Sequence, residues 1–227
     1  MPLTPYGLRE WLTITIVCAL AGAAGWLLLD WWAIVPVLVV WLALMSFFRD
    51  PIRRIRTDLA PGVMLSPADG AISAVERVDH HEATDGPAVI VRIFLSVLNV
   101  HVNRSPHDAE VVATHYRPGE FLNAQTEESA RVNESNLITL RLHWPSGASE
   151  PFGVRQVSGM IARRIVCPLK PGDRLARGQK FGMIKFGSTT ELILPRPDDV
   201  IVDVRKGDKV RGGLTVLATL AAPSSHA

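Results

Sequence analysis

Phe186-Gly187-Ser188-Thr189, running into the strand-like stretch Glu191-Leu192-Ile193-Leu194, is the part of this 227-residue chain on which its reading turns. Glycine leaves its own carbonyl carbon uncrowded, and the Ser188 hydroxyl lies one residue downstream of that carbonyl. The linkage is therefore open to attack from within the chain. A serine hydroxyl is a weak nucleophile unless a base sits beside it, commonly a histidine oriented by a carboxylate. Upstream stand an acid in Ser66-Pro67-Ala68-Asp69-Gly70 and an imidazole in Asn99-Val100-His101-Val102-Asn103. An imidazole with an ordinary pKa of ~6.5 takes and returns protons near neutrality. His101 is thus the candidate base, Asp69 its orienting partner, and Gly187-Ser188 the bond that breaks. Backbone N–H groups around Ser188 are the candidate donors to the oxyanion.

Outward from this motif, the chain from about residue 57 reads as strand-rich. Ala88 to Asn103 is dominated by Val, Ile, Phe and Leu, which suit a pleated, half-buried surface. Leu137 to Leu142, Glu191 to Leu194 and Val200 to Val204 have the same composition. Pro118-Gly119, Pro145 with Gly147, Pro171-Gly172 and Gly212-Gly213 punctuate the runs. Gly119 to Ala130 has room for a short helix, and no sustained 3.6-residue period follows residue 50. Leu169 to Gly178 is echoed by Val204 to Gly213: each reads as a strand end, a Gly-Asp turn and a second glycine a few residues on. Paired hairpins of this kind resemble the lipoyl- and biotinyl-carrier sandwich. The expected fold is mostly β (α+β), a compact β-sandwich-like domain over residues 51–227 with a lipoyl/biotinyl-like C-terminal half.

The N-terminal 50 residues differ in kind. Trp11 to Leu29 and Trp31 to Phe48 are both uncharged, and each is about as long as the ~20-residue helix that crosses a hydrocarbon core. Asp30 is the one charge between them, flanked by Trp26, Trp31 and Trp32, aromatics suited to a membrane boundary. A membrane helical hairpin is expected, either spanning the bilayer twice or dipping into one leaflet. The basic run Arg49 to Arg56 favours the cytoplasmic side for the strand-rich domain after it. A cleaved signal peptide, with Ala21-Gly22-Ala23 as the cleavage site, competes for the first run, but the immediate second run argues against it.

Composition removes other classes. Cys18 and Cys167 lie in unlike segments, too far apart in character to pair, and no metal-ligand spacing such as CxxC occurs. A net charge of +2 without a basic, aromatic-interleaved stripe gives no support for nucleic acid. His80, His81 and His107 read as solvated loop residues, and Glu191, on an alternating strand, reads as facing solvent. Arg163 and Arg164 are candidates to meet a phosphate or to line a solvated strand edge.

Ser66 to Gly70, Leu98 to Pro106, Asn133 to Asn136, Gly159 to Arg164 and Phe186 to Pro195, in this order, closely resemble the phosphatidylserine decarboxylases in their short bacterial and archaeal form. The resemblance covers the chain from residue 60 onward. It implies a carboxy-lyase that cuts itself between residues 187 and 188 into a large and a small chain. Ser188 would become a covalent pyruvoyl cofactor, able to form a Schiff base with the serine head group of phosphatidylserine. Loss of CO2 would then leave phosphatidylethanolamine, and His101 is the first candidate to protonate the carbanion. It also implies a location at the cell membrane, no metal, and two partners, the membrane lipid and the sister fragment; a homodimer is compatible with it. Two positions depart from relatives. Leu98 stands where longer relatives carry a further histidine, and Ser135 stands where many carry arginine.

Two other classes use the same residues differently. A lipoyl-like carrier would stay intact and accept an acyl group on Lys185. A membrane-anchored serine hydrolase would keep Ser188 as a free hydroxyl.

Overall fold

Two apolar helices form the first of the two units, Met1–Ile52 and Arg53–Ala227, into which the computed structural model divides. Residues 2–123, 126–160, 164–185 and 187–223 are described. Helix α1 (Leu8–Leu29) has 22 residues and a length of ~33 Å; α2 (Ile34–Phe47) has 14 and reaches only ~21 Å. With its leading turn, Pro5–Leu29 is long and apolar enough to cross a membrane, whereas Trp31–Phe47 is a shorter apolar segment. Asp30 turns the chain at φ 103°, and its carboxylate accepts from the Trp31 N–H at 2.6 Å. At the open end the backbone is tied shut, Thr4 N–H to the Phe48 carbonyl at 2.8 Å and Asp50 N–H to the Pro2 carbonyl at 2.9 Å. Between the helices, Trp41 Nε1 donates to Thr15 Oγ1 at 3.1 Å. Apolar side chains such as Ile16, Leu20, Leu27, Val39 and Leu42 point outward.

The second unit is built from strands β1 (Val63–Leu65), β2 (Gly70–His81), β3 (Gly86–Leu95), β4 (Val102–Arg104), β5 (Ala109–Arg117), β6 (Ser135–His143) and β7 (Ser149–Ser158). Then come β8 (Ile165–Val166), β9 (Arg174–Leu175), β10 (Lys180–Ile184), β11 (Ser188–Pro195), β12 (Val200–Val202), β13 (Lys209–Val210) and β14 (Val216–Leu220). One short helix, α3 (Glu127–Val132), falls at the end of the stretch expected to hold one. An eight-stranded sheet runs β13-β2-β3-β11-β7-β6-β5-β9, and two three-stranded sheets run β1-β14-β12 and β4-β10-β8. Residues of all three sheets, among them Met64, Ile72, Ile93, Leu140, Phe152, Phe181, Leu192 and Leu217, close one core. Val, Ile and Leu at alternate positions make this a mostly-β architecture, as expected.

The echo between the two Gly-Asp turns is part of a wider internal repeat. Gly172 and Gly207 take φ +91° and +97°, a left-handed conformation that suits glycine. Lys170 N–H and Arg205 N–H are received by the carboxylates of Asp173 and Asp208 at 2.8 and 2.9 Å. A second pair has no counterpart in the sequence-based expectation: Ser66-Pro67-Ala68-Asp69 matches Ser105-Pro106-His107-Asp108. Both serine hydroxyls donate to the carbonyl two residues on at 2.7 Å. The two loops also grip each other, Leu65 N–H to Pro106 O and Arg104 N–H to Pro67 O. The order of the large sheet is the same from either end once β13, β2, β3 and β11 are exchanged for β9, β5, β6 and β7. The repeat thus takes in residues from 63 onward. The C-terminal segments β9 to β14 are strands of all three sheets.

Because β11 lies between β3 and β7, all eight of its residues are buried. Glu191 therefore does not face solvent. It is 0% exposed, directly opposite Arg92 on one side and Arg155 on the other. The two guanidiniums donate to its two oxygens at 2.8 and 2.7 Å, and Arg92 also reaches Glu76. Removing one partner of a buried ion pair leaves the other charge without compensation. Glu191→Ala should lower the unfolding free energy by about 3–5 kcal/mol, measured as a fall in urea midpoint at constant slope. A midpoint unchanged from the parent would mean the cluster is not what holds the central strands.

Candidate active site

Gly187 sits where β10 has ended and β11 begins, at φ +68°. A side chain there would be strained, so the residue whose carbonyl must be attacked is also the one the backbone requires to be glycine. Ser188 follows as the first residue of β11, opposite Leu95 of β3 and Ser158 of β7. It is fully buried, and its Oγ has no hydrogen-bond partner among the described residues. A buried hydroxyl without a partner costs free energy that a structural serine would avoid. That cost is intelligible at a reacting group.

His101, immediately before β4, is buried as well. Its Nδ1 lies 3.0 Å from the Asn99 carbonyl oxygen, and its Nε2 lies 3.3 Å from the Gly187 nitrogen. A carbonyl only accepts, so Nδ1 carries the hydrogen, and Nε2 presents its lone pair to the Gly187 N–H. This is the neutral tautomer, with its basic nitrogen beside the Gly187 N–H, one residue before Ser188. The loop that supplies the Asn99 carbonyl is pinned by the Asn99 side chain. Its Oδ1 accepts from Ser96 N–H at 2.9 Å and Ser96 Oγ at 2.8 Å.

Asp69 binds groups that the sequence does not put beside it. Its carboxylate is taken by Arg53, with bonds of 2.6 and 2.8 Å, and by the Gly212 N–H at 2.8 Å. Arg53 also donates to the Gly212 carbonyl. Two parallel charge-assisted bonds in a buried setting are a strong claim on one carboxylate. The His101 Nδ1 bond runs to the Asn99 carbonyl, and Asp69 fixes the Gly212 loop. Arg53 is hidden in the sequence because it lies in the Arg49 to Arg56 run, which reads as facing a membrane.

A chain of buried amides, equally hidden, locks the histidine-bearing strand against the serine-bearing one. Asn103 Nδ2 donates to Thr190 Oγ1 at 3.0 Å, Gln156 Nε2 to Asn103 Oδ1 at 2.9 Å, and Asn136 Nδ2 to Gln156 Oε1 at 3.1 Å. Ser188 and Thr190 are two residues apart in β11, so they point to one face of it. Asn133 ties the end of β7 to the preceding loop, donating to the Ser158 carbonyl at 2.8 Å. No signal in the sequence links these residues, since they come from separate strands.

Other expectations change too. His107 is buried beside Arg177 at 2.5 Å rather than solvated. Burial pushes its imidazole below the ordinary value, and the neighbouring Arg177 charge works in the same direction. Burial likewise pushes the Cys167 thiol up, as for a small core side chain; Cys18 and Cys167 are both free. Lys185 is only 5% exposed, a poor site for a carrier lysine that another enzyme must reach. Phe186 and residues 161–163, including Arg163, lie outside the described residues; Arg164 is exposed.

The sequence model of the phosphatidylserine decarboxylase family matches residues 42–218. A phosphatidylserine decarboxylase proenzyme of Rhodopirellula baltica is 42% identical over 220 residues, covering 96% of this chain and 88% of the relative. Those of Carboxydothermus hydrogenoformans and Chlorobaculum parvum are each 40% identical, over 96% of this chain and 98% of their own length. A match of this extent, on a chain whose Gly-Ser turn, buried hydroxyl and facing imidazole meet at one point, makes the protein a member of the phosphatidylserine decarboxylase family, a carboxy-lyase.

Proposed function

We propose that the chain matures by cutting its own Gly187-Ser188 linkage and then decarboxylates phosphatidylserine to phosphatidylethanolamine. The observation that carries this reading is the buried Ser188 hydroxyl, without a partner among the described residues, beside a left-handed glycine whose N–H rests on the His101 lone pair. The Gly187 N–H releases the His101 Nε2 lone pair, which takes the hydroxyl proton as Ser188 Oγ bonds to the Gly187 carbonyl carbon. The amide C–N bond breaks, the Ser188 nitrogen gains a proton, and an ester joins Gly187 to the Ser188 oxygen. Loss of the Ser188 Cα proton then expels the Gly187 carboxylate and leaves dehydroalanine at residue 188. Water converts its enamine to a ketone with release of ammonia. No oxidant is needed.

The residues present suit the pyruvoyl group so formed: it would sit at the head of a strand paired on both sides, beside the imidazole. That group supplies a ketone that captures an amine and an electron sink for the departing CO2. The chain's own part is to hold the buried Ser188 in register with Leu95 and Ser158 and to offer His101 for the proton returned to carbon.

The apolar hairpin supports a location at the cell membrane for this chemistry. The exposed Arg54 and Arg56 after it support a cytoplasmic position for the catalytic domain. The deciding experiment is an intact mass of the purified, active protein under denaturing conditions. Two chains are expected, one ending at Gly187 and one of about 40 residues whose first residue lacks a free amine. A single continuous chain in an active preparation would refute the reading.

A further inference from the structure

Ser188 is flanked in the sheet by Leu95, the last residue of β3, and Ser158, the last residue of β7. Just beyond these two strand ends the surface turns apolar. Val97 is 43% exposed, Leu98 82% and Met160 61%. In the same strands Val91, Ile93, Leu95, Val154 and Val157 are buried. The exposure of Leu98 is held in place, because its loop is closed by the Asn99 N–H to the Ser96 carbonyl and by two bonds to Asn99 Oδ1. A cation joins the rim: Arg164 is exposed, and its carbonyl receives the Lys185 N–H at 3.2 Å, two residues from Gly187.

We propose that Val97, Leu98 and Met160 enter the apolar layer of an anionic phospholipid bilayer, with Arg164 at the depth of the phosphates. This rim, distinct from the hairpin, would bring the Gly187-Ser188 site down onto the head groups. Apolar side chains bordered by arginine are the chemistry that such a surface takes, the side chains gaining from the hydrocarbon and the cation from the negative surface potential. The inference deepens the proposed function and rests on it, since the reaction requires a head group whose acyl chains stay in the membrane.

The test uses the full chain reconstituted into phosphatidylcholine vesicles. Its substrate is either long-chain phosphatidylserine within those vesicles or dihexanoyl phosphatidylserine added below its micellar concentration. Leu98→Asp should still mature into two chains, which shows that it has folded. It should lose about tenfold or more of its turnover of vesicle substrate, while turnover of the soluble substrate stays within about twofold. Met160→Asp should behave alike and serves where Leu98→Asp fails to mature. An equal loss on both substrates, or no loss on either, would overturn the proposal. So would a change of assembly state, which would make the rim a contact between copies. If the parent protein matures but converts neither substrate, it is the underlying functional reading that fails.

Discussion

A Ser188→Ala chain should migrate as one uncut band and release no CO2 from phosphatidylserine. A methyl group has no lone pair with which to reach the Gly187 carbonyl, so neither the ester nor the ketone derived from it can arise. Against an enzymatic acceleration of at least about 10⁶-fold, nothing measurable should remain. The variant should nonetheless fold. Ser188 Oγ makes no hydrogen bond among the described residues, so its removal leaves no orphaned partner there and relieves a buried polar group. Thermal melting should therefore be unchanged or slightly higher, a result that separates loss of chemistry from loss of structure. Cleavage persisting in this variant would end the case for residue 188.

His101→Ala should slow maturation by about 10²–10⁴-fold, the usual worth of a positioned general base. The time course of the two chains after rapid purification is the measurement. His101→Gln separates base from spacer: an amide can still accept the Gly187 N–H, so folding should survive while cutting stays slow. Asp69→Ala should also slow cutting, by another route. It leaves Arg53 buried without its carboxylate and releases the Gly212 loop, so its effect should come with a lower melting temperature. Rapid, complete cutting in both His101→Ala and Asp69→Ala would remove both residues from the mechanism.

How far the sequence discloses this site depends on how local each signal is. Gly187 and Ser188 are adjacent, and the need for glycine is readable from the dipeptide. His101 stands in a strand-like run, but the chain breaks that run after Leu95 and sets the imidazole in the loop just before β4. Asp69 stands out as an acid in a tight turn, but its partner lies sixteen residues upstream, in a basic run with a ready membrane explanation. Glu191 misleads for a different reason. Alternation of faces tells inside from outside only where one face of a sheet meets water, and β11 is buried on both. The Asn103, Gln156, Asn136 and Thr190 chain has no sequence signature, because it exists only once four strands have been brought into register. The internal repeat shows through at the Gly-Asp turns, where the backbone dictates the residue, and is hidden where hydrophobic residues substitute freely for one another.

Strand β11 begins at Ser188 and is zipped to β3 through eight residue pairs and to β7 through six. If the linkage before it opens as proposed, the fragment it belongs to would be retained as the middle plank of another chain's floor. Assembly would then be a one-way event: the precursor would fold as a single polymer, but a denatured mature protein would have to find its missing plank by collision. Its durability would rest on the slowness of opening and not on any ability to recover.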